Sequence, residues 1–174
     1  MKIAIAALIL VAAPLAANAQ TPDSAPSAPT CSTALDTALP AAFADWTKPE
    51  ALPAAANAAT QPDVAIGHAY AVQLSPVAAV SYPVAPKKLK DGSFGGLFML
   101  TVEKAGTYTV AFDAAPWIDL AHDGQWVRSS GNSHGLDCST IRKTVDFTLQ
   151  PGHYTIEVSS APKDTAVLMV VEKN

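Results

Sequence analysis

From Asp63 onward the chain alternates. Val64, Ile66, His68, Tyr70, Val72 and Leu74 share one parity, and Ala65, Gly67, Ala69, Ala71 and Gln73 take the other. A period of two over this stretch predicts a half-buried strand, with His68 partly buried in an otherwise apolar row. The same spacing returns at Phe98, Leu100 and Val102, at Tyr108, Val110 and Phe112, and at Tyr154, Ile156 and Val158. It is sharpest where Ile141, Val145, Phe147 and Leu149 stand against Arg142, Thr144, Asp146 and Thr148, with Lys143 the one break in the apolar row. Ala166 to Val171 is apolar on both parities and predicts a strand covered on both faces. Asp91-Gly92, Gly95-Gly96, Gly106, Asp123-Gly124, Gly131 and Pro151-Gly152 punctuate these runs, and no helical period fills the gaps. Eight or nine short strands over residues 63–174 predict an all-β antiparallel sandwich of jelly-roll type.

Upstream of Asp63 the pattern is different. Met1-Lys2, an apolar run from Ile3 to Leu15 and the small residues of Ala17-Asn18-Ala19 have the layout of a secretory signal peptide, residues 1–19. The run is short for a bilayer span and no basic cluster follows it, so no transmembrane anchor is expected after cleavage. The expected location is periplasmic or secreted. Residues 20–34 are a Pro/Ala/Ser spacer, and 35–62 an Ala-rich arm broken by Pro40, Pro49 and Pro53. Short helical turns, such as Ala41 to Trp46, are all that this arm predicts, with Trp46 as its packing anchor. Export also changes how the cysteines read. Two of them, Cys31 and Cys138, in an oxidising compartment predict a disulfide that pins the arm to the domain.

Composition narrows the function. The chain is 49% hydrophobic with much of that in Ala, carries only 15% charged residues, and has a net charge of −4. Nucleic acid and anionic membranes are therefore poor partners. The basic run Lys87-Lys88-Leu89-Lys90 reads as a solvated turn, or as a contact for an anionic envelope polymer.

The segment with the most chemistry is Trp117 to Arg128. Asp123-Gly124 predicts a two-residue hairpin turn, which puts Trp117 and Asp119 on one face and Ile118, Leu120 and His122 on the other. Trp117 and Trp126 could stack on a sugar, with Asp119 and Asp123 supplying hydrogen bonds or calcium ligands. His122 and His134, the latter in a polar loop from Gly131 to Cys138, would complete the surface. The plainer reading makes both Trp residues rim packing and the carboxylates solvated. No H-x-H or H-E-x-x-H pair accompanies the histidines, and no G-x-S-x-G elbow accompanies Ser129, Ser130 or Ser133. A carboxylate pair such as Asp119 with Glu157 or Asp146 is a question of spatial separation.

Two stretches repeat one another. Phe98-x-Leu100-x-Val102 leads to Gly106-Thr107-Tyr108-Thr109-Val110, and Phe147-x-Leu149 leads to Gly152-His153-Tyr154-Thr155-Ile156. Each reads as a hairpin opening with G-x-Y-T-[V/I]. It resembles the hairpins of pre-peptidase C-terminal domains and jelly-roll carbohydrate-binding modules over residues 94–172. Gly95-Gly96-Leu97-Phe98, Ala115-Pro116-Trp117-Ile118-Asp119 and Asp137 to Phe147 are also similar to segments of short exported alphaproteobacterial proteins labelled homogentisate 1,2-dioxygenase. That resemblance implies a small metal-dependent oxygenase. The iron-binding His and Glu of the ring-cleaving enzyme lie six positions apart. Here Leu74, Arg128, Thr140 and Ser159 stand six beyond the four histidines.

The residues themselves favour an exported protein without catalysis of its own. Its expected role is binding or structural, in the envelope, toward a carbohydrate or another envelope protein. No cofactor is expected, with calcium and iron left open.

Overall fold

The computed structural model describes Cys31 and residues 35–173; the signal segment and the rest of the 20–34 spacer lie outside the described residues. Eleven strands follow in order: β1 (Glu50–Pro53), β2 (Ala69–Gln73), β3 (Ser75–Pro76), β4 (Phe94–Val102), β5 (Gly106–Phe112), β6 (Trp117–His122), β7 (Gln125–Val127), β8 (Ser129–Ser133), β9 (Lys143–Leu149), β10 (Gly152–Ala161) and β11 (Thr165–Glu172). They form two sheets, ordered β1-β2-β11-β5-β9-β8 and β3-β4-β10-β6-β7. Stripped of the short strands β1, β3 and β8, the sheets are β2-β11-β5-β9 and β4-β10-β6-β7. With the chain passing back and forth between them, that is the strand order of a jelly roll. All strand pairs are antiparallel except β1 with β2.

The alternating residues build the core between the sheets. Phe98, Leu100, Val110, Phe112, Phe147, Leu149, Ile156, Val158, Leu168 and Val170 are buried there together. The opposite parity of β11, Met169 and Val171, packs outside the six-stranded sheet against Phe43, Trp46 and Ile141. This second cluster is why β11 reads as apolar on both faces. The turn at Ala41–Phe43 brings Phe43 and Trp46 onto it, and the Trp46 Nε1–H donates to the Thr140 hydroxyl (2.8 Å). Trp46 is a packing anchor.

The disulfide between Cys31 and Cys138 is present and closes a separation of 107 residues. Beside it, both oxygens of Asp36 accept from Thr140, one from its N–H and one from its hydroxyl, each at 2.7 Å. The arm is thus held by a covalent bond, a carboxylate clamp and an apolar face.

Four expectations need correction. The long strand over Val64 to Leu74 is only Ala69–Gln73, because the His68 N–H closes a turn on the Ala65 carbonyl (3.3 Å). His68 itself is 62% exposed, its Nδ1 3.6 Å from Asp45. The arm is not limited to helical turns: β1 pairs with β2 and extends the sheet. Ser129 to Ser133, half of it read as loop, is an edge strand on β9. Finally, the two G-x-Y-T repeats are not hairpins. β4 and β5 lie in different sheets, as do β9 and β10, so each repeat turns a corner between layers. The buried tyrosines fasten those corners. Tyr108 and Tyr154 each donate from the hydroxyl to the carbonyl four residues upstream, Lys104 and Gln150, both at 2.8 Å. A tyrosine at the corner of an immunoglobulin-type sandwich makes the same kind of tie.

Candidate functional site

The site begins with a strand that stops early. β7 pairs only with Leu120, Ala121 and His122 of β6 before the chain crosses to β8. Trp117, Ile118 and Asp119 are therefore bonded to β10 on one side and open on the other. The Asp123-Gly124 turn that sets this register has φ of 49° and 72°, the left-handed pair of a type I′ hairpin. A cleft of about 280 Å³ opens here between the sheets, reaching Asp119 and Trp117 on one wall and Asn132 and Lys143 on the other.

A strap crosses the outer face of the five-stranded sheet above it. Residues 80–92 contain Pro83 and Pro86, which lack the N–H a ladder needs, so this stretch bonds to the sheet through side chains instead. The Tyr82 hydroxyl donates to the Val158 carbonyl (2.8 Å), the Val84 N–H to Glu157 Oε1 (3.1 Å) and the Lys87 N–H to Asp119 Oδ2 (3.1 Å). Ser159 donates from its hydroxyl to the Lys88 carbonyl (2.7 Å). Gly95 is required beneath the strap, because a Cβ there would collide with the Tyr82 hydroxyl.

Under the strap lies a pair of acids. Glu157 and Asp119 are direct cross-strand neighbours, 1% and 5% exposed. Asp119 is well provided for: the Trp117 Nε1–H donates to it (2.8 Å), and Lys87 Nζ lies 3.4 Å away. Glu157 is not, since its Oε2 has no hydrogen-bond partner among the described residues. Burial, with the Asp119 charge adding to it and the Val84 bond opposing, pushes Glu157 up to about 7. Burial and then the Glu157 charge raise Tyr82 as well.

Around the acids stand the lysines. Lys87 Nζ is 5.1 Å from the centre of the Trp126 ring, and Lys88 and Lys143 are 5.6 and 5.2 Å from that of Trp117. Ammonium groups over indole faces are attractive contacts. They occupy the surfaces on which a sugar would stack. Lys143, the break in the apolar row of β9, reaches across to donate to the Pro116 carbonyl (2.8 Å). Burial first, then the Lys88 charge, lowers its pKa, against the pull of Asp119.

Of the five residues expected to share a surface, three gather here: Trp117 and Asp119 by direct contact, and Trp126 through Lys87. The two histidines do not join them. His122 stacks on Tyr154 at 4.6 Å and bonds through Nδ1 to the His153 carbonyl (2.8 Å), beyond the end of β9. His134 is exposed beside Ser133, which pairs with Thr144 at the other end of that strand. The five residue steps from Thr144 to Leu149 separate the two ends by about 17 Å.

Metal chemistry finds no donor set. Among the described residues no group of three His, Cys, Asp or Glu side chains could hold an ion. The histidines, separated in this way, do not fit a ferrous centre, and Asp123, 90% exposed at its turn, does not meet Asp119 as a calcium pair would. Nor do Asp119 and Glu157 flank a bound sugar as a glycosidase pair must, with Glu157 sealed under the strap. Asp146 lies on the other sheet, bonded to Thr109 and Lys173; these hold its pKa below the usual range although burial alone would raise it.

Three larger grooves, of about 640, 670 and 570 Å³, lie along the β1–β2 edge, beside the arm, and beside Val64 and Tyr108. The first is mainly aliphatic, and in the second Asp146 is bonded to Lys173 and Thr109, and Ser133 to Thr144. The cleft at β6 is smaller, but it is lined by Lys143, which has no carboxylate partner among the described residues, and by Asp119, the cross-strand neighbour of the buried Glu157. Lys143 is the member that sequence reasoning missed, its sign a lone Lys at odds with the apolar row of its strand, and Glu157 figures there only as a possible partner of Asp119. No family model matches the chain, and no curated protein matches it at a significant level.

Proposed function

We propose that the protein is an exported jelly-roll binding protein without catalysis of its own, acting in the cell envelope on a carbohydrate or protein ligand. Its contact surface is the cleft at the open edge of β6. Supporting the export reading are the signal-like residues 1–19 and the Cys31–Cys138 bridge, a bond suited to an oxidising compartment. No described helix is long and apolar enough to cross a membrane.

The observation that carries the binding reading is that Lys87, Trp117 and Asp119 line a cleft between the two sheets, Trp117 and Lys87 both held by Asp119, with Trp126 beneath the Lys87 ammonium. Aromatic rings with a few fixed polar groups are what a small-ligand site requires. The test is a fluorescence titration of periplasm-purified protein with envelope oligosaccharides, reading the Trp117 and Trp126 emission. Saturable change that Trp117→Ala abolishes is the expected result. Stoichiometric iron with oxygen consumption on homogentisate would overturn the reading in favour of the oxygenase.

A further inference from the structure

A second pocket adjoins the cleft and shares Trp117 and Lys143 with it. It has a volume of about 190 Å³ and is lined by Lys88, Lys90, Pro116, Trp117, Lys143 and Ser160. That is below the roughly 300 Å³ at which pockets begin to enclose a whole small ligand, so it suits one functional group rather than a molecule. With Ala115 its lining residues number seven, and three of them are lysines, in a chain whose net charge is −4.

What sets these three lysines apart is that they line one pocket together. Lys87 and Lys173 have carboxylates within 4.0 Å, at Asp119 and Asp146. Among the described residues Lys88, Lys90 and Lys143 have none; Lys48, Lys104 and Lys163 likewise have none but stand outside the pocket. Lys143 is also drawn inward from a strand position that its neighbours fill with apolar side chains, and it donates to the Pro116 carbonyl. A half-buried ammonium beside a second one is an electrostatic cost that an anion would remove.

We propose that this pocket is an anion subsite that takes the acidic group of a charged glycan between Lys88, Lys90 and Lys143. The sugar hydroxyls of the same residue then face the adjoining cleft, where Asp119, Ser129 and Asn132 offer hydrogen-bonding groups. The inference rests on the binding reading above and names the ligand's charge. Two lysines of the strap and one of β9 together define the pocket, so it exists only while the strap is seated.

The test is calorimetric titration of the disulfide-bonded protein with four probes. These are tetragalacturonate, a sulfated heparin tetrasaccharide, neutral cellotetraose, and vesicles of phosphatidylglycerol in phosphatidylcholine. At least one acidic oligosaccharide should bind, more weakly as salt rises, and cellotetraose should not. Lys88→Gln should weaken that binding about tenfold, the loss of one charge-assisted hydrogen bond. Lys143→Gln should do the same while Lys143→Arg, which keeps the charge, retains binding. The melting temperature of each variant reports whether it still folds, and Lys88, on the strap surface, gives the reading that survives if Lys143 variants do not. Equal binding of cellotetraose and the acidic probes, untouched by Lys88→Gln, would overturn the anion subsite and leave glycan binding intact. Binding of no oligosaccharide would overturn both, and vesicle binding alone would place the lysines on a lipid surface instead.

Discussion

Both sheets of the sandwich have a covered outer face, and the two covers are made of different materials. The arm lies on the six-stranded sheet through Phe43 and Trp46, packed on Ile141, Met169 and Val171, and it is locked by a disulfide. The strap lies on the five-stranded sheet through hydrogen bonds to Glu157, Asp119, Val158 and Ser159. An apolar, cross-linked cover stabilises through packing and a covalent tie. A polar cover leaves charge unsatisfied, and Glu157 Oε2 and the lysines around Trp117 are where it is left. The difference puts the apolar, cross-linked cover on one side of the molecule and the polar cover, with the surface proposed for binding, on the other.

The sharpest way to break this division is to cut the bridge. The double variant Cys31→Ala, Cys138→Ala should lose about 4 kcal/mol in urea unfolding, from the loop-closure entropy of so long a span. Ligand affinity at the β6 cleft should stay unchanged, and a large loss of it would mean the two faces are coupled. Met169→Ala, emptying the second cluster, should cost about 3 kcal/mol by the same measurement.

The strap side should respond to pH rather than to volume. Glu157 titrates near 7 in the fold against 4.5 for the free side chain, so the folded state holds its proton more tightly. Its contribution is then fully present below pH 4.5 and lost as pH rises through 7, by up to about 3 kcal/mol. Glu157→Gln should flatten that decline when unfolding is followed from pH 4.5 to 8.5. A decline of the same slope in the variant would place its origin elsewhere.

Smaller effects sharpen the picture further. Tyr108→Phe and Tyr154→Phe each delete one corner tie, and each should cost about 1 kcal/mol. Similar values at both corners would show that the repeat is a structural device independent of either cover. Lys88→Gln should change stability by less than about 0.5 kcal/mol, since its ammonium is not needed to hold the strap.

How far the sequence could be read depends on which side of the hydrogen-bonded ladder a residue occupies. Central strands such as β5, β9 and β10 announced themselves, because one parity must be apolar to fill the space between sheets. Short edge strands did not. β1, β3 and β8 are half exposed and carry Pro, Ser and Gly, so no alternation marks them. The candidate site was legible in part. Trp117, Asp119 and Trp126 stood out through a hairpin whose turn is visible as Asp-Gly, and the basic run stood out alone. Nothing local joined them. Glu157 occupies the outward parity of β10 and came up only as a possible carboxylate partner of Asp119, because a cover contributed by residues 80–92 is invisible to strand period.

The amino-acid order by itself determined the class of fold, the inward-facing residues and the pairing of the two cysteines. Those follow from a period of two and from chemistry that needs only two partners. Only the tertiary structure decided that the G-x-Y-T repeats cross between layers. It also decided that a proline-bearing strap seals two carboxylates and gathers lysines from residues far apart in sequence. Contacts of that kind are set by how layers stack, and stacking has no signature in the spacing along a single strand.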